Sequence, residues 1–167
     1  MLGHLKITAK RQMKALSYFI FYLVLFFIAY VYTIELDEAF FVVFFPMFIF
    51  LVFPAIFLHI EYYKRNKGEV YKLCGNKIIR CKGEIEVIYN KEDISKITVF
   101  VSPNYFRNGI YFTAFENYHF ARIVLNTGEN VYLTSLLAPG GIDKALSIYL
   151  KDIPYRKEKR LFSTTLY

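Results

Sequence analysis

The side chains best suited to ligand chemistry surround one Asn-Gly pair in the second half of this chain. Tyr105, Arg107 and Tyr111 flank Asn108-Gly109, and Arg122 follows them along the chain. The planar guanidinium of arginine pairs with phosphate oxygens, and a neighbouring tyrosine ring can stack on a base. We therefore expect a ligand-binding cluster for a phosphate-bearing molecule here. The alternative is an exposed aromatic hairpin whose charges are only solvated.

Motifs of enzymatic chemistry are missing from the sequence. It contains no glycine-rich phosphate loop, no G-x-S-x-G, no H-E-x-x-H and no C-x-x-C. His119 follows a turn, and no nucleophile or carboxylate is tied to it. Glu84 and Glu86 share a strand face of the kind that usually meets solvent. We expect a protein that is not an enzyme, with no cofactor and with no catalytic or metal-binding residues.

The two cysteines do not suggest a disulfide or a zinc site. If Gly75-Asn76 is a two-residue turn, Cys74 faces Lys77 and Cys81 faces Val70. The thiols then lie too far apart to bridge, and a cytosolic domain keeps them reduced in any case.

Two uncharged stretches of twenty residues each, 15–34 and 39–58, must position this second half. Each is long enough to cross a hydrocarbon core of ~30 Å as a helix. A polar link of four residues, 35–38, separates the stretches, so the two spans would form an antiparallel hairpin over residues 15–62. The alternative, two buried helices of a soluble protein, leaves too short a chain to cover them.

The charges that flank the stretches predict their orientation. Basic residues without acids occupy residues 1–14, three acids lie at the tip, and bases dominate residues 64–67. Basic flanks stay in the cytoplasm. We expect a multi-pass protein of a bacterial inner membrane with both termini cytoplasmic. Residues 68–150 hold nine bases and eight acids, so the excess of positive charge lies in the flanks of the two stretches and in the tail. That distribution favours lipid headgroups over a nucleic-acid polymer as partner.

The part after the hairpin reads as a run of short strands and one helix. Turn pairs separate segments rich in β-branched and aromatic residues, and Asn108-Gly109 is the strongest hairpin signal. Ile142, Ala145, Leu146 and Tyr149 form one apolar helical face. We expect strands near 69–74, 77–82, 84–90, 95–102, 110–115, 119–126 and 130–136, with a possible eighth strand in 161–167.

Element order gives the expected fold class. Seven antiparallel strands followed by one amphipathic helix resemble the pleckstrin-homology (PH) superfold, in particular small bacterial PH-like domains behind transmembrane hairpins. The resemblance covers residues 68–152 and includes the segments Asn90-Lys91-Glu92-Asp93-Ile94 and Arg122-Ile123-Val124-Leu125-Asn126-Thr127-Gly128. It implies an α+β membrane protein with a seven- or eight-stranded antiparallel barrel, followed by a basic tail over 153–167.

A second resemblance concerns the whole architecture. Two membrane helices followed by a closed eight-stranded barrel look like the membrane effectors of bacterial CD-NTase antiviral systems. That resemblance implies a domain that senses a cyclic nucleotide and a hairpin that oligomerises and disrupts the membrane. Pro46 and Pro54 could then act as a membrane hinge, because each removes a helical hydrogen bond. The alternative function is a passive, membrane-tethered module that docks a partner, as an adaptor or immunity protein does.

Overall fold

The computed structural model describes residues 3–32, 38–107, 109, 113–138, 140–149 and 153–166. Within these residues the chain forms eight strands and four α-helices. Their bounds are β1 Gly3–Lys6, α1 Ala9–Tyr32, α2 Glu38–Asn66, β2 Glu69–Cys74, β3 Lys77–Lys82, β4 Ile85–Asn90, β5 Ile94–Val101, α3 Pro103–Phe106, β6 Phe120–Leu125, β7 Asn130–Thr134, α4 Ile142–Tyr149 and β8 Tyr155–Lys159. A 3₁₀ helix, Ala114–Asn117, precedes β6.

The described strands form two four-stranded sheets. The first sheet has the order β1-β2-β3-β4 and is antiparallel throughout. The second has the order β7-β6-β5-β8, in which β8 runs parallel to β5. The α+β class is confirmed. The described strands do not form one wholly antiparallel barrel, because no strand pairing joins the two sheets and β8 is parallel to β5.

The register between β2 and β3 follows from the turn that joins them. Gly75 has φ of 50°, a conformation in which a side chain would be strained. The pairing places Cys74 opposite Lys77 and Cys81 opposite Val70, as the sequence predicts. Both thiols are free.

The main core lies between the two sheets and under α4. Alternate residues of β2, β6 and β7 point into it, as the two-residue period of a half-buried strand requires. Ile142 and Leu146 of α4 are fully buried in this core, so the predicted apolar face of the helix is confirmed there. Other fully buried members include Leu73, Ile78 and Leu133.

Helices α1 and α2 are inserted between two neighbouring strands of the first sheet. β1 precedes α1 and β2 follows α2, yet the two strands pair directly, with Leu5 opposite Tyr71. The guanidinium of Arg11 donates to the carbonyls of Lys6 and Leu137 and fixes the start of α1 at this junction. Residues 1–14 are expected only to form a basic segment, and strand β1 within them has no signal in the sequence.

Helix α1 exposes its apolar side chains. Its most hydropathic window is only 6% buried, whereas the core helix of a soluble protein would be mostly buried. Among the described residues, α1 is the one helix long and apolar enough to cross a membrane. The predicted second span, 39–58, lies within α2 and stays a prediction. Phe26 of α1 stacks on Phe48 of α2 with ring centroids 4.1 Å apart.

The last turns of α2 pack along the outer face of the second sheet. Ala55, Leu58 and Tyr62 are fully buried there, against Phe120 and Leu136. Burying three such side chains stabilises the contact by several kcal/mol, at ~25 cal/mol per Å² of apolar area. The last turns of α2 and the outer face of the second sheet therefore share a core of their own, separate from the main core between the sheets.

Two strand predictions are wrong. The segment expected as a strand at 110–115 includes Ala114 and Phe115, which begin the 3₁₀ helix, while 110–112 lie outside the described residues. Before Asn108-Gly109 the chain forms α3, because Ser102 caps the helix by accepting from the amide of Tyr105. The eighth strand is Tyr155–Lys159 rather than 161–167, because it pairs with the distant β5.

Candidate functional site

A groove of about 490 Å³ lies where the end of α2 meets both sheets. We call it the junction groove. Four of its described lining side chains are basic and two are acidic, which makes it suited to an anionic group. It is lined by Glu61, Lys64, Arg65, Asn66, Glu69, Arg80, Lys82, Asn130, Val131, Tyr132, Thr165 and Leu166.

Asn66, the last residue of α2, holds the groove together and is almost fully buried. Its side-chain amide donates to the carbonyl of Tyr132 at 2.8 Å and to the carboxylate of Glu69 at 3.1 Å. Its carbonyl oxygen accepts from the amide of Thr134 at 3.1 Å. One side chain thus joins α2 to both sheets at the root of the inserted helices.

Glu69 is the buried charge at the centre of the groove. Tyr71 donates to it at 2.7 Å, and Arg80 pairs with it. Burial alone would raise the pKa of Glu69, but the hydrogen bonds from Tyr71 and Arg80 outweigh burial and hold that pKa below its usual range. Burial raises the pKa of Tyr71, so this phenol stays a donor. The carboxylate of Glu69 is therefore already satisfied by hydrogen bonds within the protein.

The second acid, Glu61, is occupied by the C-terminal tail. Its carboxylate accepts from the hydroxyl of Thr164 at 2.9 Å and from the amide and hydroxyl of Thr165. With both acids engaged, the amines of Lys64 and Lys82 dominate what an incoming ligand meets. The weak contact of Lys82 with Glu69, 3.7 Å, leaves its side chain 60% exposed. The geometry favours an anion held by charge-assisted hydrogen bonds.

The cluster predicted from the sequence is not assembled as one site. Tyr105 packs against the main core and donates to Asp143 at 2.7 Å. Arg107 is exposed at the end of α3. Arg122 lies on the opposite face of the second sheet, with its guanidinium 5.2 Å from the centre of the Phe100 ring. Tyr111 lies outside the described residues. Their role in ligand binding stays a prediction.

Arg122 is nevertheless close to the junction groove. Its register partner on β7 is Tyr132, which lines the groove and lies under the guanidinium of Arg65 at 4.4 Å. The buried Nε of Arg122 has no hydrogen-bond partner among the described residues. Arg160 stacks on the same Phe100 ring at 4.2 Å. Arg122 is therefore the neighbour of a groove-lining residue and does not itself line the groove.

His119 is a structural residue. It is fully buried, its Nδ1 lies 3.1 Å from the carbonyl of Asn117, and its Nε2 accepts from the amide of Ile142 at 3.3 Å. That pattern fits the neutral ring with the proton on Nδ1. Burial lowers the pKa of His119 to about 4, with the positive charge of Lys157 acting in the same direction. The imidazole bridges the start of β6 and the start of α4.

Pro46 and Pro54 both lie inside α2, which continues through them as one helix from Glu38 to Asn66. Their proposed hinge role stays a prediction. The groove itself was missed, because its parts come from residues 61–69, 80–82, 130–132 and 165–166. The one indication of the groove in the sequence is the basic pair Lys64-Arg65, which comes shortly after an apolar stretch.

The family model described as a PH domain matches residues 5–140. The match covers most of the chain and includes both inserted helices and strands β2 to β7. The chain therefore belongs to the PH domain family, and the PH-like expectation is confirmed. No curated protein and no solved structure matches the chain.

Proposed function

We propose that this protein is an interaction module of the PH domain family that an inserted helical hairpin anchors at a membrane. PH domains generally serve as binding modules without catalysis, so the family favours an interaction role. The junction groove would hold an anionic group of the ligand or partner. The basic flanks favour the cytoplasmic face of a bacterial inner membrane for the domain and both termini.

The observation that carries the proposal is the pairing of β1 with β2 across the insertion. Neighbouring strands of one sheet lie on the same side of any membrane, so the chain between them crosses it an even number of times. α1 is able to cross, and its apolar side chains are exposed. Exposed residues of α2, including Val42, Phe50 and Phe53, present a matching apolar surface for the return. A crossing α1 therefore requires a crossing α2.

Calorimetry on the full chain in lipid nanodiscs tests the groove. We expect inorganic pyrophosphate or a cyclic di- or trinucleotide to bind. Lys82→Ala should weaken that binding by about tenfold, because a hydrogen bond to a charged group is worth ~1.5–3 kcal/mol. Lys77→Ala is the matched control, since Lys77 occupies the other end of β3, away from the groove. Equal effects of the two substitutions, or no binding by any probe, would count against the groove.

One observation supports the second candidate, a ligand-gated membrane effector. The inserted helices share a core with the second sheet, through Ala55, Leu58 and Tyr62 against Phe120. A ligand that shifts the sheet would therefore shift the hairpin, with Pro46 or Pro54 as the bending point. On this hypothesis the hairpins oligomerise, and overexpression arrests growth in a manner that requires residues 9–66. Harmless overexpression, together with no binding of cyclic nucleotides, would leave the passive docking module.

A further inference from the structure

The C-terminal tail, residues 160–166, has its polarity inverted. Ser163, Thr164 and Thr165 are almost fully buried, while Leu161 and Leu166 are 67% and 66% exposed. Phe162 is also exposed, at 37%. Polar residues are normally exposed and large apolar residues are normally buried, so this arrangement needs a physical explanation.

The tail is held firmly rather than frayed. The amide of Arg160 donates to the carbonyl of Val101 at 2.9 Å, and the hydroxyl of Tyr62 donates to the carbonyl of Ser163. Glu61 accepts from Thr164 and Thr165, as described above. Hydrogen bonds on both sides of Leu161 and Phe162 fix these two side chains outward, so their exposure is a built feature of the fold.

Phe162 continues the apolar surface of α2. Its ring stacks on that of Phe57 with centroids 6.0 Å apart and an angle of 25° between planes. Phe57 is exposed and lies next to the end of the predicted span, 39–58. Phe115 of the 3₁₀ helix contacts Phe162 from the other side, at 6.2 Å. Leu161 and Phe162 therefore lie level with the place where α2 would enter the bilayer.

Leu166 lies at a different level. From Phe162 the tail follows α2 away from the predicted span, and Thr165 accepts a hydrogen bond from Arg65. Thr165 is held by both Glu61 and Arg65, which lie four and eight residues beyond Phe57, or ~6–12 Å farther along the helix axis. The interfacial layer is ~5–8 Å thick on each side of the hydrocarbon core. If Phe162 lies in that layer, Leu166 lies at its water side or beyond it.

The residues beside Leu161 have the charge that an anionic lipid surface attracts. Lys159 places its amine 4.4 Å from the centre of the Phe106 ring, and Arg160 covers Phe100. Phe106 is itself exposed. An exposed apolar pair that directly follows two bases is typical of a segment that lies in the headgroup region.

We propose that Leu161 and Phe162 insert into the interfacial layer of the bilayer and form a third membrane contact beside the two inserted helices. The inference rests on the proposed membrane anchoring. It gives the PH domain a fixed tilt on the membrane, because the contact lies beside α2 on the outer face of the second sheet.

The chain contains no tryptophan, so single-tryptophan variants report one position each. Leu161→Trp and Leu166→Trp are a matched pair of nearly equal exposure. Phe27→Trp, in the middle of α1, reports whether the helices are in the bilayer at all. The full chain is placed in nanodiscs of phosphatidylcholine with one quarter phosphatidylglycerol. The lipids carry no bromine, bromine on the acyl chains near the headgroup, or bromine near the chain ends, which reaches the middle of the bilayer. We expect bromine near the headgroup to quench Leu161→Trp by roughly twofold or more and to quench Leu166→Trp much less, as the offset of ~6–12 Å requires.

Three other outcomes separate the possible failures. Quenching at Phe27→Trp without any at Leu161→Trp would overturn the third membrane contact but would still support the proposed anchoring of the module at the membrane. No quenching at Phe27→Trp would overturn the membrane anchoring itself. Equal quenching at 161 and 166 would also contradict the inference, because the tail would then lie flat on the lipid rather than dip at one end.

Discussion

Protonation of the buried His119 should make the PH domain labile to mild acid. The folded ring accepts from the amide of Ile142, and a protonated ring would bring two N–H groups face to face. The pKa falls from 6.5 to about 4 in the folded protein, so the unfolded chain binds a proton that the folded one refuses. Stability is therefore complete above pH 6.5 and is lost as the pH falls from 6.5 toward 4.

The size of the effect follows from the shift. At 1.36 kcal/mol per pKa unit, the full loss is ~3 kcal/mol, of which ~2 kcal/mol falls between pH 7 and pH 5. Glu69 and Asp143 also lose stability in acid, because hydrogen bonds outweigh burial and lower their pKa values. Their losses come below about pH 4.5, outside this window. Burial lowers the pKa of His59 as well, so we compare variants in a His59→Gln background.

The assay is urea unfolding of the full chain in nanodiscs, followed by circular dichroism of the β signal at pH 7, 6 and 5. His119→Gln cannot titrate, and we expect its free energy of unfolding to change by much less than that of the parent over this range. The comparison is between slopes against pH, so a constant cost of the substitution does not matter. Parallel slopes for parent and variant would refute the assignment of His119 as a buried neutral ring.

Three further predictions concern the groove and the membrane. Arg80→Ala should destabilise the domain by ~3 kcal/mol, because it leaves the buried carboxylate of Glu69 without its cation, and Glu69→Gln in the same chain should restore part of the loss in urea unfolding. Asn66→Ala should cost ~2–4 kcal/mol by leaving β7 backbone groups unpaired, whereas a fully retained midpoint would show that these hydrogen bonds are not formed. A membrane-impermeant maleimide applied outside spheroplasts should label Leu36→Cys, in the link between the two stretches, and not His4→Cys, and the reverse pattern would invert the proposed topology.

Local signals predicted the parts of this fold that are local. The Gly75-Asn76 turn set the pairing of Cys74 with Lys77, because the two residues are linked by one tight turn. The spacing of Ile142 and Leu146 predicted the buried face of α4 for the same reason. In each case one short segment carries both the pattern and its physical cause.

Long-range pairing explains what the sequence could not reveal. β1 has four residues, and its partner β2 lies beyond both inserted helices, so no local period marks it. β8, Tyr155–Lys159, is mostly charged and is a strand only because β5 pairs with it. Before the strong hairpin signal Asn108-Gly109 the chain forms α3, which Ser102 caps and Pro103 begins. The junction groove needs four distant segments and has no sequence motif.

Cross-linking of β1 to β2 in the intact membrane tests the central claim, that the hairpin is inserted between neighbouring strands of a membrane-anchored PH domain. His4 and Lys72 are register partners. Facing Cα atoms of antiparallel strands lie ~4.5–5.5 Å apart, within the range of a disulfide. In a chain with Cys74→Ser and Cys81→Ser, we expect His4→Cys with Lys72→Cys to oxidise to an internal disulfide in the carbonate-washed membrane fraction. Lys6→Cys with Lys72→Cys, out of register, should not. Failure of the in-register pair to cross-link, or its recovery only in the soluble fraction, would contradict the account.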